Sequence, residues 1–345
     1  MNLLDNNLYL EDLDYICNLD LPYEKLQDKN ILISGASGLL GSFLIDVLMR
    51  KNLNCHIYAL LRNKEKAEKR FSSYLDNDLF TIIAHDISKP LELEDKMDYI
   101  IHLASNTHPL QYSTQPITTV TTNILGLINL LEKGVNDSCV RFVFASSVEI
   151  YGQNRGDTEY FDEDYCGYIN CNTLRAGYPE SKRCGEALCQ AYIKEKDLDI
   201  VIPRFSRSYG PSMLRSDTKA ISQFINKALN NEDIILKSEG KQLYSYSYMA
   251  DAISGLLTVM LKGEKGQAYN IADKDSDITL KDLASLIASY AGKEVIFELP
   301  DSTEKAGYST ATKAILNSNK LQQLGWQAHY PMAEGLKRTL DILKS

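Results

Sequence analysis

A tyrosine and a lysine at helical spacing are the first residues in this chain that could carry chemistry. Tyr178 and Lys182 lie four positions apart, and a helix would place both side chains on one face. An ammonium beside a phenol favours the phenolate and lowers a phenolic pKa of about 10, as general acid–base chemistry requires. Ser147, at the end of an apolar run, supplies a hydroxyl for the same substrate oxygen. The pattern predicts proton transfer to or from an alcohol or carbonyl.

A glycine-rich turn indicates a partner for that chemistry. Three glycines with GxxGxxG spacing follow the apolar run 30–34 and precede a helical pattern. Glycines there permit a tight turn and bring backbone N–H groups close to a pyrophosphate at the helix N-terminus. The spacing differs from GxGxxG, and by itself such a turn could be purely structural. Together with the Tyr–Lys pair it predicts a dinucleotide-phosphate site at Gly35, Ser37, Gly38, Leu39 and Gly41.

Apolar runs alternate with amphipathic segments for nearly 200 residues around these motifs. The runs predicted as strands are 30–34, 56–61, 80–84, 99–104, 140–145 and 200–202. The segments predicted as helices include 64–74, 118–133 and 179–194. Strands without polar alternation, separated by helices, indicate a parallel sheet that is covered on both faces. We therefore predict an α/β protein with a doubly wound parallel sheet, the Rossmann fold.

The alternation becomes less regular after Gly210. Helices are predicted at 220–229, 250–261, 280–290 and 333–343, and short strands at 234–236, 268–271 and 295–297. We expect an N-terminal extension over residues 1–28, a dinucleotide-binding domain over 29–210 and a mainly substrate-binding α/β lobe over 211–345. Some segments of that lobe should return to the main sheet. The cleft between the lobes is the expected substrate site.

Composition excludes several classes of protein. The 37 Lys and Arg residues against 46 Asp and Glu give a net charge of −9, which disfavours nucleic-acid binding. No apolar run approaches the roughly 18 residues that span a bilayer, and residues 1–13 lack the pattern of a signal peptide. We expect a cytoplasmic protein without a membrane partner. The seven cysteines and five histidines show no metal-ligand spacing, so we expect reduced, mostly buried thiols and no metal site.

These motifs together resemble the extended short-chain dehydrogenases/reductases, the family of NAD(P)-dependent nucleotide-sugar epimerases, dehydratases and decarboxylases. The resemblance extends from about Lys29 to Leu343. Besides the glycine turn, Ser147 and the Tyr–Lys pair, it is carried by Asp86–Ile87, His102–Ser105, Tyr151, Arg204–Pro211, Met249–Asp251, Tyr269–Ile271 and Leu324–Trp326.

The resemblance implies roles for individual residues. Tyr178 would be the general acid/base, Lys182 would bind the nicotinamide ribose and lower the tyrosine pKa, and Ser147 would polarise the reacting group. Glu149 would be either a second acid/base or a structural carboxylate. Val148 stands where dehydratases carry an acidic Asp, which disfavours a 4,6-dehydratase. The further cofactor residues implied are Asp86 and Ile87 at the adenine, Leu103, Ala104 and Ser105 along the cofactor, and Asn123 as a support.

The end of the second predicted strand departs from the NAD pattern. Enzymes that prefer NAD usually carry an acidic residue there to bind the ribose 2′-hydroxyl, whereas this chain reads Ala59-Leu-Leu-Arg-Asn-Lys64. Arg62 and Lys64 could pair with a 2′-phosphate, and Asn63 lies between them. We therefore favour NADP(H), with NAD(H) as the alternative; the basic turn could also be simply solvated.

Two substrate positions also depart from the family. Tyr244 stands where an Arg usually holds the substrate diphosphate, and Arg207 stands where an Asn is usual. A guanidinium binds phosphate in a bidentate manner, so Arg207 could supply the charge that position 244 lacks, or it could pair with a nearby carboxylate. The strand 244–248 could stack a base or sugar on its tyrosines or could simply pack well.

We expect an NAD(P)-dependent enzyme that acts on a nucleotide-activated sugar through a keto intermediate, by epimerase or decarboxylase-like chemistry. The resemblance places such enzymes in the synthesis of cell-surface polysaccharide precursors. The alternatives are an NADPH-dependent reductase of a keto-sugar or sugar phosphate and a non-catalytic NADP(H)-binding sensor. The resemblance further implies a homodimer formed through the helices at 118–133 and 179–194.

Overall fold

The main sheet has eight parallel strands, as a computed structural model of the chain shows for residues 2–107, 109–298 and 311–345. Seven strands lie in the order β3-β2-β1-β4-β5-β7-β11, and β6 pairs with β7. The strands are β1 Asn30–Ser34, β2 His56–Leu61, β3 Phe80–Ala84, β4 Tyr99–His102, β5 Arg141–Phe144, β6 Ser146–Ser147, β7 Ile200–Phe205 and β11 Ala268–Ile271.

Helices cover both faces of this sheet. The helices are α1 Asn7–Cys17, α2 Leu39–Lys51, α3 Lys64–Arg70, α4 Pro109–Thr114, α5 Pro116–Asp137, α6 Gly177–Lys196, α7 Ala220–Leu229, α8 Met249–Lys262, α9 Leu280–Ala291, α10 Asn319–Gln322 and α11 Met332–Lys344. Successive residues of β1 belong to different apolar clusters, because strand side chains alternate between faces: Ile31 and Ile33 pack with α1, α2 and α8, and Leu32 packs with α5 and α6. The predicted doubly wound fold is confirmed.

The remaining strands build two smaller sheets. One contains β12 Asp277–Thr279, β10 Leu243–Tyr248, β14 Lys313–Ala314 and β8 Arg207–Tyr209; the other pairs β9 Ile234–Leu236 with β13 Val295–Phe297. In the larger of the two, Arg207 pairs in register with Tyr246. This pairing brings the two unusual positions, 207 and 244, onto neighbouring strands.

Helix ends account for most differences from the predicted elements. The helix predicted over 64–74 ends at Arg70 and is followed by a 3-10 turn, Ser72–Tyr74. The helix predicted from 118 begins at Pro116, where a proline is compatible with the first turn, and it continues to Asp137 before Ser138 adopts a left-handed conformation. Strand β11, from the last third of the chain, pairs in parallel with β7 at the edge of the main sheet.

The N-terminal helix α1, whose role the sequence left open, bridges distant parts of the chain. The Tyr9 hydroxyl donates to Asp46 on α2 at 2.6 Å. Buried Asp12 accepts hydrogen bonds from Tyr248 on β10 at 2.6 Å and from Arg338 on α11 at 2.9 Å. Residues 2–28 therefore tie the first β–α unit to the C-terminal helix.

No helix within the described ranges is long and apolar enough to cross a membrane. All seven cysteines are free thiols; four are buried, and Cys166, Cys171 and Cys184 are exposed.

Candidate active site

A cavity of about 540 Å³ opens along the carboxyl ends of the main-sheet strands. Residues that directly follow β1, β2, β4 and β5 line it, which is where open parallel sheets bind ligands. Its other wall comes from β8, β9, β10 and α7. The lining contains the glycine turn as well as Ser147, Tyr178 and Lys182. The folded chain thus brings the two predicted motifs into one cleft.

The glycine turn is shaped to receive an anion. Gly35 has a φ of +72°, and a Cβ there would lie 2.7 Å from the backbone nitrogen of Ala104. A Cβ at Gly41 would lie 2.4 Å from the Gly35 carbonyl oxygen. Helix α2 begins at Leu39 with Gly38 as its N-cap, and no side chain caps it. Its first N–H groups therefore remain for a ligand such as a pyrophosphate.

The predicted cofactor residues separate into two groups. Those that line the cavity are Gly35, Ser37, Gly38, Leu39, Gly41, Arg62, Ile87, Leu103, Ala104, Ser105, Tyr178 and Lys182. Those that do not line it are Asn63, Lys64, Asp86 and Asn123.

Three of the four residues that do not line the cavity interact with their own neighbours in the chain. Asn63 caps α3 by accepting from the Lys66 N–H at 2.9 Å. Lys64 is exposed and pairs with Glu68 one turn along that helix, at 3.7 Å. Asp86 accepts from both the N–H and the hydroxyl of Ser88. In the ligand-free protein the side chains of Asn63, Lys64 and Asp86 are thus held by their own neighbours and do not line the cavity, and their contact with a bound cofactor stays a prediction.

Asn123 lies behind the cavity and connects its two sides. Its side-chain oxygen accepts from the Ser105 hydroxyl at 2.7 Å, and its side-chain nitrogen donates to Ser181 at 2.7 Å. Ser105 belongs to the loop after β4, whereas Ser181 lies in the first turns of α6. Asn123 on α5 thus joins the loop that lines the cavity to the helix that carries Tyr178.

Tyr178 lies at the centre of the cleft with its phenol almost fully buried, at 5% exposure. Ser147 and Ser105 line the same cavity, and the Ser147 hydroxyl favours the ionised form of the phenol, which lowers the pKa of Tyr178. Lys182, one helical turn later, donates from Nζ to the Ala145 carbonyl at 2.8 Å. An ammonium has three donors, so this buried group has capacity left for further acceptors in the cavity. Such a site fits the ribose hydroxyls of a dinucleotide.

Burial dominates the proton affinities of this pair. Burial and, to a smaller extent, the charge of Glu149 raise the pKa of Tyr178 to about 12, against the Ser147 hydroxyl and the charge of Arg175, which lower it. Burial likewise lowers the pKa of Lys182 to about 8. In the ligand-free protein burial therefore sets the direction of both pKa shifts, and the lowering of the tyrosine pKa by the lysine stays a prediction for the complex with cofactor.

Glu149 lies between two arginines beside this centre. Its carboxylate accepts from Arg175 Nη2 at 2.6 Å and lies 3.4 Å from Arg207 Nη2. Burial raises the pKa of Glu149, but the two guanidinium groups together lower it further, and the result lies below the usual range. Glu149 is therefore a carboxylate at neutral pH, which can accept a proton but holds none to donate.

Arg207 pairs with a carboxylate, which is one of the two alternatives that the sequence left open. Besides Glu149, it contacts Tyr244, whose ring centroid lies 3.5 Å from the guanidinium carbon. The Tyr244 hydroxyl donates to the Ala311 carbonyl at 2.8 Å. Tyr246 also lines the cavity, but Tyr248 bonds Asp12 in the core. The tyrosine strand is thus divided between the cleft and the core.

Several lining residues escaped the sequence reasoning. Arg175 and Tyr112 flank Tyr178, and Lys219 donates across the mouth of the cleft to Thr107 at 3.3 Å and to Asp217 at 2.8 Å. Arg175 precedes Tyr178 by three positions and lies in the 3-10 turn Leu174–Ala176 just before α6, so its closeness along the chain was a usable signal. Tyr112 and Lys219 carried no local signal, because only folding brings them to the cleft.

Comparison with known proteins identifies the group to which these features belong. Residues 31–272, more than half of the chain, match the NAD dependent epimerase/dehydratase family. The chain belongs to this family. Among curated relatives it is 31% identical over 321 residues to UDP-glucuronic acid decarboxylase 1 of Xenopus tropicalis, which covers 92% of this chain and 72% of that protein. It is 30% identical to UDP-glucuronic acid decarboxylase 5 of Arabidopsis thaliana, over 89% of this chain and 86% of that protein.

Solved structures share the fold of this epimerase/dehydratase family member. The UDP-glucuronic acid 4-epimerase of Bacillus cereus, in complex with UDP-glucuronic acid and NAD, aligns with a TM-score of 0.76 at 23% identity, over 91% of this chain and 99% of that chain. The predicted family is confirmed, and the protein is an extended short-chain dehydrogenase/reductase that uses a nicotinamide cofactor.

Proposed function

We propose that this enzyme oxidises a carbon of a nucleotide-activated sugar acid and processes the resulting keto intermediate by decarboxylation or epimerisation. The observation that carries the proposal is the buried phenol of Tyr178, which lines one cavity together with Ser147 and Lys182. This is the arrangement needed to move a proton at a sugar hydroxyl. The nicotinamide, when bound, accepts and returns the hydride.

Each residue has a defined part in this scheme. Ser147 orients the sugar hydroxyl, and Tyr178 takes its proton during oxidation and returns it when the carbonyl is reduced. Lys182 binds the ribose hydroxyls, and its charge stabilises the phenolate as it forms. The loop after β4 and the turn at Gly35–Gly41 hold the remainder of the dinucleotide and exclude water from it.

The arginines beside Glu149 support a substrate with a carboxylate. Arg175 Nε and Nη1 and Arg207 Nη1 are buried without hydrogen-bond partners among the residues that the structure describes. Buried donors of a charged group are costly unless an acceptor completes them, and a carboxylate matches guanidinium geometry. Both arginines line the cavity close to Tyr178. The curated relatives named above are decarboxylases of UDP-glucuronic acid, and this compound is the first substrate to test.

Glu149, being ionised, is proposed as a base and as the counter-ion that orients both arginines. Glu149→Gln removes its charge and keeps its shape. We expect turnover to fall by about tenfold to a hundredfold, because the arginines lose their shared partner. Unchanged turnover would show that the carboxylate has no part in the reaction.

We propose NADP(H) as the preferred cofactor, with Arg62 at its 2′-phosphate. Arg62 lines the cavity beyond β2, and the acidic lining residues that the structure describes, Glu149 and Asp217, lie at the substrate end. No described carboxylate therefore lines the adenosine end of the cavity to bind a free 2′-hydroxyl.

The same observation favours a second candidate, an NADPH-dependent reductase of a keto-sugar or sugar phosphate. A self-regenerating enzyme is expected to retain bound NAD(P), whereas a reductase consumes NADPH stoichiometrically. The purified protein is assayed with sugar nucleotides and sugar phosphates, each with NAD and NADPH, by absorbance at 340 nm and product mass. Loss of CO₂ or a change of epimer without net cofactor consumption supports the first candidate; NADPH oxidation without either supports the reductase.

A homodimer through α5 and α6 remains part of the proposal. Helix α5 exposes Ile117 at 79%, Leu125 at 45% and Val120 at 36%, and it packs along α6. A second copy would cover these side chains. We expect a particle of twice 38.9 kDa in light scattering, and a monomer after Leu125→Glu. A monomeric parent protein would contradict this assembly.

A further inference from the structure

The inference concerns Tyr112, which the family motifs leave without a role. Tyr112 lies on α4, in the connection between β4 and α5, and is 5% exposed. Its ring centroid lies 5.0 Å from that of Tyr178, and the two rings are inclined by 25°. These values lie in the range of attractive offset stacking. The acid/base residue is thus supported from an element other than its own helix.

Tyr112 makes a second contact, with Arg175. The guanidinium carbon of Arg175 lies 4.8 Å from the Tyr112 ring centroid, within the distance of a cation–π interaction. Arg175 is also the partner of Glu149 at 2.6 Å. One aromatic ring therefore touches both the proton-transfer residue and the charged cluster next to it.

The direction of the Tyr178 phenol decides which groups reach it. Ser147, Arg175 and Ser105 favour its ionised form, and burial and the charge of Glu149 oppose them. If the ring moves, burial persists but the three favourable interactions weaken. Displacement of a catalytic group by about 1 Å can reduce turnover by about a hundredfold. A fixed ring is therefore a condition for both the rate and the pH dependence of proton transfer.

We propose that Tyr112 is a positioning residue, whose ring holds the Tyr178 phenol against Ser147 and the Arg175 guanidinium beside it. The proposal rests on the acid/base role of Tyr178 proposed above. Tyr112 acts through its ring face and not through its hydroxyl. Aromatic replacements should therefore preserve its role, whereas aliphatic ones should abolish it.

The test compares Tyr112→Leu with Tyr112→Phe in the holoenzyme, with UDP-glucuronic acid or the sugar nucleotide that the panel identifies. Leucine keeps the pocket apolar but removes both ring contacts, and phenylalanine keeps them. We expect kcat to fall by about tenfold or more in Tyr112→Leu and to return within about threefold of the parent in Tyr112→Phe. The cofactor Kd should change less than about twofold in either variant, because neither replacement removes a group proposed to hold the dinucleotide.

The pH profile separates positioning from simple support of the fold. In Tyr112→Leu the pH of half-maximal kcat should move upward by about half a unit or more, because Tyr178 loses interactions that favour its ionised form. A substrate-independent measurement follows the Cζ resonance of ¹³C-labelled tyrosine in the NAD(P)⁺ complex, with the Tyr178 signal assigned by its absence in Tyr178→Phe. Its titration midpoint should rise in Tyr112→Leu and return in Tyr112→Phe.

Several outcomes would overturn the inference. One is a Tyr112→Leu enzyme with the parental kcat and Tyr178 midpoint; another is an equal loss in Tyr112→Leu and Tyr112→Phe, which would assign the effect to the hydroxyl. If thermal unfolding shows that Tyr112→Leu does not fold, Tyr112→Met fills the space without a ring face, and parental turnover in that variant contradicts the proposal. A Tyr178→Phe enzyme that retains turnover instead refutes the proposed function.

Discussion

The cofactor half and the substrate half of the cleft balance charge in different ways. In the cofactor half, which comprises the turn Gly35–Gly41, Arg62 and Lys182, the ammonium is 3% exposed and pairs with no carboxylate of the described residues. In the substrate half, Glu149 lies between Arg175 and Arg207. The first half thus depends on its ligand for a counter-charge, whereas the second is partly neutralised within the protein and keeps one net positive charge for a substrate. The cofactor half follows a local sequence motif, whereas the substrate cluster is assembled from residues that are distant in the chain.

The first prediction has the largest expected effect. It tests whether Tyr178, between the two halves, transfers the proton. Tyr178→Phe removes only the hydroxyl, so turnover should fall by about a hundredfold to ten-thousandfold, the usual contribution of a general acid/base. Cofactor affinity, measured by fluorescence titration, should change little. Parental turnover in this variant would show that the proton takes another route.

The second prediction concerns the charge at positions 207 and 244. Arg207→Asn restores the usual family residue and removes one guanidinium from the cluster. We expect KM to rise by about tenfold to a hundredfold, the usual effect of losing a hydrogen-bonded charge. Cofactor affinity should remain unchanged, because Arg207 lies in the substrate half.

The matched control transfers the arginine to the neighbouring strand. In Arg207→Asn/Tyr244→Arg the guanidinium returns to the usual position, next to its former site across β8 and β10. Recovery of much of the lost substrate affinity would show that the cleft needs a cation and that the cation can come from either position. Additive damage from the two changes would show that the local geometry of Arg207, stacked on Tyr244, is what matters.

The third prediction examines the uncompensated charge of the cofactor half. Because burial lowers the pKa of Lys182 from 10.5 to about 8, the ammonium costs the folded state about 3 kcal/mol at pH 7. Lys182→Met should abolish turnover yet raise the free energy of unfolding of the cofactor-free protein at pH 7, by about 2 kcal/mol after the lost bond to Ala145 is counted.

The sign of its pH dependence is fixed by linkage. Between about pH 8 and 10.5 the unfolded chain binds the Lys182 proton and the folded chain does not, so the stability of the parent rises with pH in this window. The advantage of Lys182→Met should therefore be largest below pH 8 and vanish above about pH 10.5. Urea denaturation at several pH values measures it; an advantage that is independent of pH would contradict the assignment.

The smallest effect concerns cofactor choice. Arg62→Ala should weaken NADP(H) binding by about tenfold and leave NAD(H) binding nearly unchanged, because only the former carries a 2′-phosphate. Lys64→Ala is the matched control, and it should have little effect, since Lys64 is exposed and pairs with Glu68. Tighter binding of NAD than of NADP by the parent would reverse the proposed preference.

The parts of the site that the sequence predicted are those encoded locally. The glycine turn, the strand before it and the spacing of Tyr178 and Lys182 each lie within a few residues, so their geometry follows from one turn or one helix. Helix limits were less accurate, as at Arg70 and Pro116, because capping and packing decide where a helix ends. The rise in the pKa of Tyr178 caused by burial could not be predicted from the sequence, because burial is not a local property.

By itself, the sequence determined the fold class, the family and the positions of Ser147, Tyr178 and Lys182, since apolar periodicity and motif spacing are properties of short segments. Only the tertiary structure decided that Tyr112 stacks on Tyr178, that Arg207 shares Glu149 with Arg175, and that Lys64 stays outside the cleft. The first two contacts join residues that are distant in the chain. The position of Lys64 depends on which of several neighbours its side chain binds. Such contacts depend on how strands and helices pack, and so on the whole fold.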